Sequence, residues 1–168
     1  VICIEKQRSA KRGKNNHMYG KPSPQGSGNG WSGWYKGWYF RSLRELSYMV
    51  NIIEKQNLKW ESAEKRELLI PYKDWNGIER NYYADFFIED SILIECKPTK
   101  LFESVSVKLK KSAAIEFCKN RNYAYQLIDP PILKDKEIEL LYNNKLIKFL
   151  DKYDKKYKER LRCKKLKE

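Results

Sequence analysis

The sequence predicts an α/β fold in which helices lie on a mixed β-sheet, and three observations carry that prediction. Apolar Leu43, Leu46, Met49, Val50 and Ile53 recur at helical spacing. A run of short segments with strand composition follows, ending in 80–88 and 92–97. A second helical stripe, Val107, Ala114, Phe117 and Cys118, then leads into a further strand segment. The order helix, strands, helix, strand is that of helices covering one sheet.

Taken in order, the first forty residues differ from the rest. They hold seven of the eight glycines and Trp31, Trp34 and Trp38, and one acid, Glu5, opposes seven lysines and arginines. The stretch from Gly20 to Gly30 is too rich in turn formers for regular structure, so residues 1–30 read as an extended basic arm. The periodic part, 31–150, is the expected core. It opens with an amphipathic helix over 42–56. Leu58–Trp60 and Leu68–Ile70 suit short strands, and Trp75-Asn76-Gly77 marks a turn. Residues 80–88 and 92–97 read as two consecutive strands, 104–120 as a helix, and Tyr123–Ile128 as a strand closed by Asp129-Pro130-Pro131. Beyond Leu133 the spacing of Ile138, Leu141, Leu146 and Phe149 predicts helix again. Residues 151–168 carry nine Lys/Arg against four acids and read as a basic helix or tail with a solvated face. Trp31, Trp34, Trp38 and Tyr39 are expected to pack on the core.

Charge narrows the partners. Of 168 residues, 35 are Lys or Arg and 22 Asp or Glu, a formal net charge of +13. That excess favours a polyanion, because each cation neutralising a phosphate releases counterions. Nucleic acid is the first candidate and an anionic membrane surface the second. No apolar run approaches the ~20 residues of a membrane span, and the basic N-terminus lacks the apolar stretch of a secretory signal. The four cysteines, Cys3, Cys96, Cys118 and Cys163, are scattered and His17 is the single histidine, so a self-contained zinc site is not expected. Four reduced thiols in a cytoplasmic protein is the plain reading. The start at Val1 suggests a piece of something longer, with Cys3 kept as a candidate last ligand of an upstream zinc finger.

The chemistry centres on Asp85, Glu95 and Lys97. Two carboxylates without an imidazole nearby favour a hard cation such as Mg²⁺. Glu95 and Lys97 are two apart, so in a strand they share a face. Asp85 joins them only if the connecting loop is odd, as Glu89-Asp90-Ser91 would be, or if the strand carries a bulge. The reaction such a set supports is phosphodiester hydrolysis. Asp85, Glu95 and the Cys96 carbonyl would hold the metal, and Lys97 would position or help deprotonate water and offset phosphate charge. The competing reading is a strand of alternating surface charges closed by an ordinary ion pair. Acids set among Tyr83, Phe86, Phe87 and Ile94 weigh against it, because buried charge needs a partner or a metal.

These residues also carry a resemblance. Phe40-Arg41-Ser42-Leu43-Arg44-Glu45, Leu58-Lys59-Trp60-Glu61, Tyr83-Ala84-Asp85-Phe86 and Ile94-Glu95-Cys96-Lys97 occur in the order of the PD-(D/E)XK nuclease superfamily. The span from Phe40 to Ile128 resembles its homing and very-short-patch-like branches, with alanine in place of proline before Asp85. The resemblance implies a restriction-endonuclease-like mixed sheet flanked by helices and a homing-type or phage-encoded DNA endonuclease. It implies Mg²⁺ with Mn²⁺ able to substitute, double-stranded DNA as partner, and the cytoplasm, of a host cell if phage-encoded, as location. It also implies that Glu45 reaches the metal site, although Ser42-x-x-Glu45 is equally a capping box. Gln126 either points at the site or faces solvent. The segment Lys11–Pro22 is similar to a nuclease-associated modular DNA-binding motif, which makes Lys11, Arg12, Lys14, Asn15, Asn16 and Lys21 candidate DNA contacts, with Arg41 and Arg44 beside the site helix. Cutting both strands with one site per chain implies a homodimer, and nicking stays open. Two alternatives share the basic surface: a non-catalytic DNA-binding protein of the same fold, and a DNA-junction resolvase.

Overall fold

The computed structural model describes residues 31–165. The arm expected over 1–30, with Lys11, Arg12, Lys14, Asn15, Asn16 and Lys21, lies outside the described residues, as does Cys3.

The described chain opens with a hairpin, β1 (Gly33–Tyr35) and β2 (Trp38–Phe40), turned by Lys36 and Gly37 at φ 48° and 88°. Helix α1 (Leu43–Tyr48) follows and runs on as a π-helical stretch, Met49–Glu54. The apolar stripe read from the sequence is its buried side: Leu46, Met49 and Ile53 are in the core. The π-helical register is a departure from the expected plain helix, of a kind that clusters at functional sites. Strand β3 (Trp60–Ser62) and the hairpin β4 (Ile70–Lys73) and β5 (Glu79–Tyr82) come next. The β4–β5 turn falls where Trp75-Asn76-Gly77 placed it, held by Asp74, which accepts from the Asn76 and Ile78 amides at 2.9 and 3.0 Å.

Residues 80–88, expected as one strand, are two. β5 pairs only with β4, and β6 (Phe86–Ile88) pairs with β3 and β7 (Ile92–Cys96). The chain leaves one sheet and joins another at Tyr83-Ala84-Asp85, so the strand must break there. Helix α2 (Val105–Lys119) crosses over to β8 (Ala124–Ile128), which pairs parallel to β7. The sheet order is β3-β6-β7-β8, a mixed sheet in an α/β chain. Two cores flank it. Phe86, Ile88, Ile94 and Cys96 pack with α1, while Phe87 and Leu93 pack with Ala114, Phe117 and Cys118 of α2.

The last third corrects the sequence reading. Helix α3 (Asp135–Asn143) stops early, and Ile147 and Phe149 form a strand, β9 (Ile147–Phe149), antiparallel to β1. A side chain at Gly33 would set its Cβ 2.3 Å from the Lys148 carbonyl oxygen, so only glycine admits this pairing. Helix α4 (Asp151–Lys165) is more than a solvated basic tail, because Tyr153 and Tyr157 are buried against Phe149 and Trp31.

Candidate active site

The site forms where β6 begins and β7 ends. β6 and β7 pair as Phe86↔Ile94, Phe87↔Leu93 and Ile88↔Ile92, so their connection is the odd three-residue loop Glu89-Asp90-Ser91. Glu89 and Asp90 take φ of 49° and 52°, and the Ser91 amide donates to the Ile88 carbonyl at 3.0 Å. That register sets Asp85 level with the end of β7. A second device then acts: the Asp85 amide donates to the Ile94 carbonyl at 2.9 Å, so Asp85 and Phe86 both address Ile94. Two residues opposite one is the geometry of a β-bulge, which re-aims a side chain away from simple alternation. As a result the Asp85 carboxylate turns onto the main chain of β7, where Oδ2 accepts from the Cys96 amide at 2.7 Å.

Glu95 and Lys97 meet directly. Lys97 Nζ lies 2.6 Å from Glu95 Oε1 and 3.3 Å from the Cys96 carbonyl oxygen, while Glu95 Oε2 is buried with no hydrogen-bond partner. Asp85 therefore grips the Cys96 peptide at its amide and Lys97 at its carbonyl. The Cys96 side chain packs in the α1 core, and burial followed by the charge of Asp85 pushes its thiol pKa up, so it is an inert thiol.

Glu45 comes from the first turn of α1. Its Oε2 accepts from the Arg41 amide and its Oε1 from the Ser42 hydroxyl, each at 2.8 Å, while its own amide donates to Ser42 Oγ at 3.3 Å. Both oxygens thus serve the helix cap. The carboxylate still faces the cluster: with Asp85, Trp38, Tyr39, Trp60 and Phe86 it lines a cavity of about 150 Å³.

The electrostatics follow from three acids sharing one ammonium. Burial, then the charges of Glu95 and Glu45, hold the Asp85 carboxyl well above the usual aspartate range. Burial also raises Glu45, against its bonds from Arg41 and Ser42 and the charge of Lys97. Burial works against the Lys97 ammonium, yet Glu95, Asp85 and Glu45 outweigh it and lift its pKa above an ordinary lysine's. Lys97 is therefore held as a cation beside the three acids.

Mg²⁺ is a hard cation that takes oxygen ligands. Asp85, Glu95 and the Cys96 carbonyl offer oxygen only, and one buried carboxylate oxygen has no partner. Among the described residues no three His, Cys, Asp or Glu side chains form a ready-made metal cluster. Mg²⁺ seldom needs one, since it is commonly held by one or two carboxylates with water and phosphate completing its shell. The residues present fit that mode.

Of the other candidates, Arg41 lines the same cavity, whereas Arg44 and Gln126 fall elsewhere. Arg41 pairs with Glu64 at 2.5 Å, and Arg44 pairs with Asp129, whose other oxygen accepts from the Thr99 amide and hydroxyl at 2.7 and 2.8 Å. Gln126 pairs in register with Ile94, on the face away from Glu95, and lines an apolar groove with Ile52 and Ile128. Sequence reasoning missed Tyr82 and Tyr125. The Tyr82 hydroxyl donates to the Lys110 carbonyl at 2.9 Å, and burial first, with the nearby Glu95 charge contributing, raises both phenols. The available signal was register: Tyr125 pairs with Leu93, two residues before Glu95 on the same face. It also missed that Trp34, Trp38 and Tyr39 are exposed, contrary to the expectation that they pack on the core.

Comparison with protein-family models, with curated proteins and with solved structures gave no match to this chain.

Proposed function

We propose that the chain is a Mg²⁺-dependent DNA endonuclease, hydrolysing phosphodiester bonds, with the restriction-endonuclease-like architecture that the PD-(D/E)XK resemblance implies. One observation carries the reading. Three neighbouring carboxylates share a single lysine, and Glu95 keeps a buried oxygen with no partner. A protein with a net charge of +13 has ample cations to neutralise such a cluster, yet these acids are left in excess. Charge buried in that way calls for a cation from solution.

Asp85, Glu95 and the Cys96 carbonyl would hold Mg²⁺, or Mn²⁺ in its place. The bound ion supplies Lewis-acid polarisation of the phosphate and a water of lowered pKa. Lys97 keeps its proton at Nζ and offsets charge developing on the phosphate oxygens. Glu45 acts as a positioning residue, fixing the first turn of α1 and adding negative potential at Asp85. The basic arm and the net charge suit double-stranded DNA, and a homodimer would cut both strands. Described residues contain no helix long and apolar enough to cross a membrane, and the reduced, buried Cys96 and Cys118 suit the cytoplasm.

A second reading is a DNA-binding protein of this fold without catalysis. The commitment of both Glu45 oxygens to the cap favours it, because one expected ligand is then already satisfied. Incubation of the purified chain with plasmid DNA in Mg²⁺, Mn²⁺ or EDTA separates the two. The nuclease reading expects cleavage only with the divalent ion, and loss of it in Asp85→Ala and Lys97→Ala with DNA affinity retained. Binding without cleavage in every metal would leave the second reading standing. Preference for branched over linear substrate would redirect the activity to junction resolution.

A further inference from the structure

Strand β8 runs into Asp129-Pro130-Pro131, and β7 runs into Lys97-Pro98. A residue before proline is confined to extended backbone, so the main chain that aims Asp129 and Lys97 has little freedom. The two segments are tied together. The Lys97 amide donates to the Ile128 carbonyl at 2.9 Å. Two residues further on, the Thr99 amide and hydroxyl both donate to Asp129 Oδ2, at 2.7 and 2.8 Å. The main chain is thus held at Lys97 and again just beyond it.

The other oxygen of Asp129 reaches α1. Oδ1 accepts from Arg44 Nη1, and the Ser47 hydroxyl, one turn along the helix, donates to the Pro131 carbonyl. Arg44 adjoins Glu45, whose carboxylate caps that first turn and faces the acid cavity. One carboxylate therefore joins the loop that carries Lys97 to the helical turn that carries Glu45. The Arg44 and Asp129 side chains are 25% and 27% exposed, and a pair this close to solvent adds little to stability by charge alone. Its larger consequence is geometric. A lysine side chain has a flexible four-carbon stem, so the place where the main chain holds Cα decides which atoms Nζ reaches. Here Nζ reaches Glu95 Oε1 at 2.6 Å.

We propose that Asp129 and Arg44 are positioning residues for the cleavage reaction, locking Lys97 and Glu45 into one geometry from outside the acid cluster. The inference rests on the nuclease reading for its reaction. It also gives Arg44 a role other than the DNA contact expected from the sequence, because most of that side chain is covered and its guanidinium is committed to Asp129.

The test uses the full chain. Plasmid cleavage in saturating Mg²⁺, well below each variant's Tm, gives kcat and KM, and fluorescence anisotropy in EDTA gives duplex affinity and its salt slope. Asp129→Asn and Arg44→Ala are each expected to lower kcat about 10- to 100-fold while KM, affinity and salt slope hold. The double variant is expected to lose no more than the worse single, since both act through one contact. Arg44→Lys, which keeps a cation for Oδ1, is expected to recover part of the loss, and it serves should Asp129→Asn fail to fold. A lowered Tm with kcat unchanged would make the pair structural and overturn the proposal. So would weaker DNA binding by Arg44→Ala with a salt slope reduced by about one, the mark of a phosphate contact. The NMR signal of the Lys97 ε-carbon, assigned by its loss in Lys97→Met, reads the geometry without catalysis. It is expected to shift in Asp129→Asn, and an unmoved signal would overturn the proposal. Should the wild-type chain cleave nothing in Mg²⁺ or Mn²⁺, the nuclease reading falls and the reaction role with it, whereas cleavage that ignores these substitutions sinks the positioning role alone.

Discussion

Replacing Lys97 with methionine tests the centre of the site, because it removes the ammonium and keeps the chain length. In the wild type the Glu95 side chain is 8% exposed and Lys97 31%, with 2.6 Å between Nζ and Oε1. The other Glu95 oxygen already lacks a partner. Lys97→Met therefore leaves a buried carboxylate with neither oxygen compensated. Removing one member of a buried pair costs about 3–5 kcal/mol. The ammonium's exposed third scales this down to about 2–3 kcal/mol. For a chain of this length that lowers Tm by roughly 6–9 °C. The double variant Glu95→Gln/Lys97→Met, which removes the stranded charge, is expected to recover most of the loss in a double-mutant cycle. Mg²⁺ is expected to raise Tm more in Lys97→Met than in the wild type, since the ion then has no ammonium to oppose it. At about a hundredfold excess over Kd the gain is ~2.7 kcal/mol. Thermal melts in EDTA and in Mg²⁺, run beside a plasmid-cleavage assay, read all of this. An unchanged Tm together with undiminished cleavage would refute the idea that Glu95 and Lys97 form a desolvated catalytic pair.

Three further outcomes follow from the same geometry. The Asp85 and Glu45 carboxyls are held above their ordinary values, so their protonated forms favour the folded state. Their stabilisation is complete below the unfolded carboxylate range and is lost as pH rises through the raised folded values. In EDTA, the Tm of Asp85→Asn minus that of the wild type should grow from about pH 4 to about pH 8, and a flat difference would contradict the burial argument. Glu45→Gln keeps one oxygen to accept from the Arg41 amide and an NH2 that can donate to Ser42 Oγ, so it should leave cleavage within about tenfold of wild type, whereas Glu95→Gln is expected to abolish it; abolition by both would make Glu45 a ligand. Gly33→Ala would force its Cβ onto the Lys148 carbonyl. A loss of about 3 kcal/mol or more in urea unfolding is expected, and a tolerated alanine would show that β1 and β9 pair less tightly than described.

What the sequence disclosed was local. The Glu95–Lys97 face follows from strand alternation, and the turn sequence permits the odd loop 89–91. The helical stripes of α1 and α2 and the turn at Trp75-Asn76-Gly77 were legible for the same reason. What stayed hidden depends on distant partners. Ile147 and Phe149 fit helical spacing as well as strand spacing, and only the bare Gly33 backbone across from them decides for β9. The break at Tyr83–Asp85 arises because β5 and β6 belong to different sheets, which no window of sequence reveals. That break matters most for chemistry. A continuous strand in this register would have set Asp85 opposite Glu95 on the same face. The bulge instead turns its carboxylate onto the Cys96 amide, beside the peptide that Lys97 grips from the carbonyl side. An ordinary surface ion pair needs no second acid held there at such electrostatic cost; on the proposed nuclease reading, that second acid serves to attract a divalent cation.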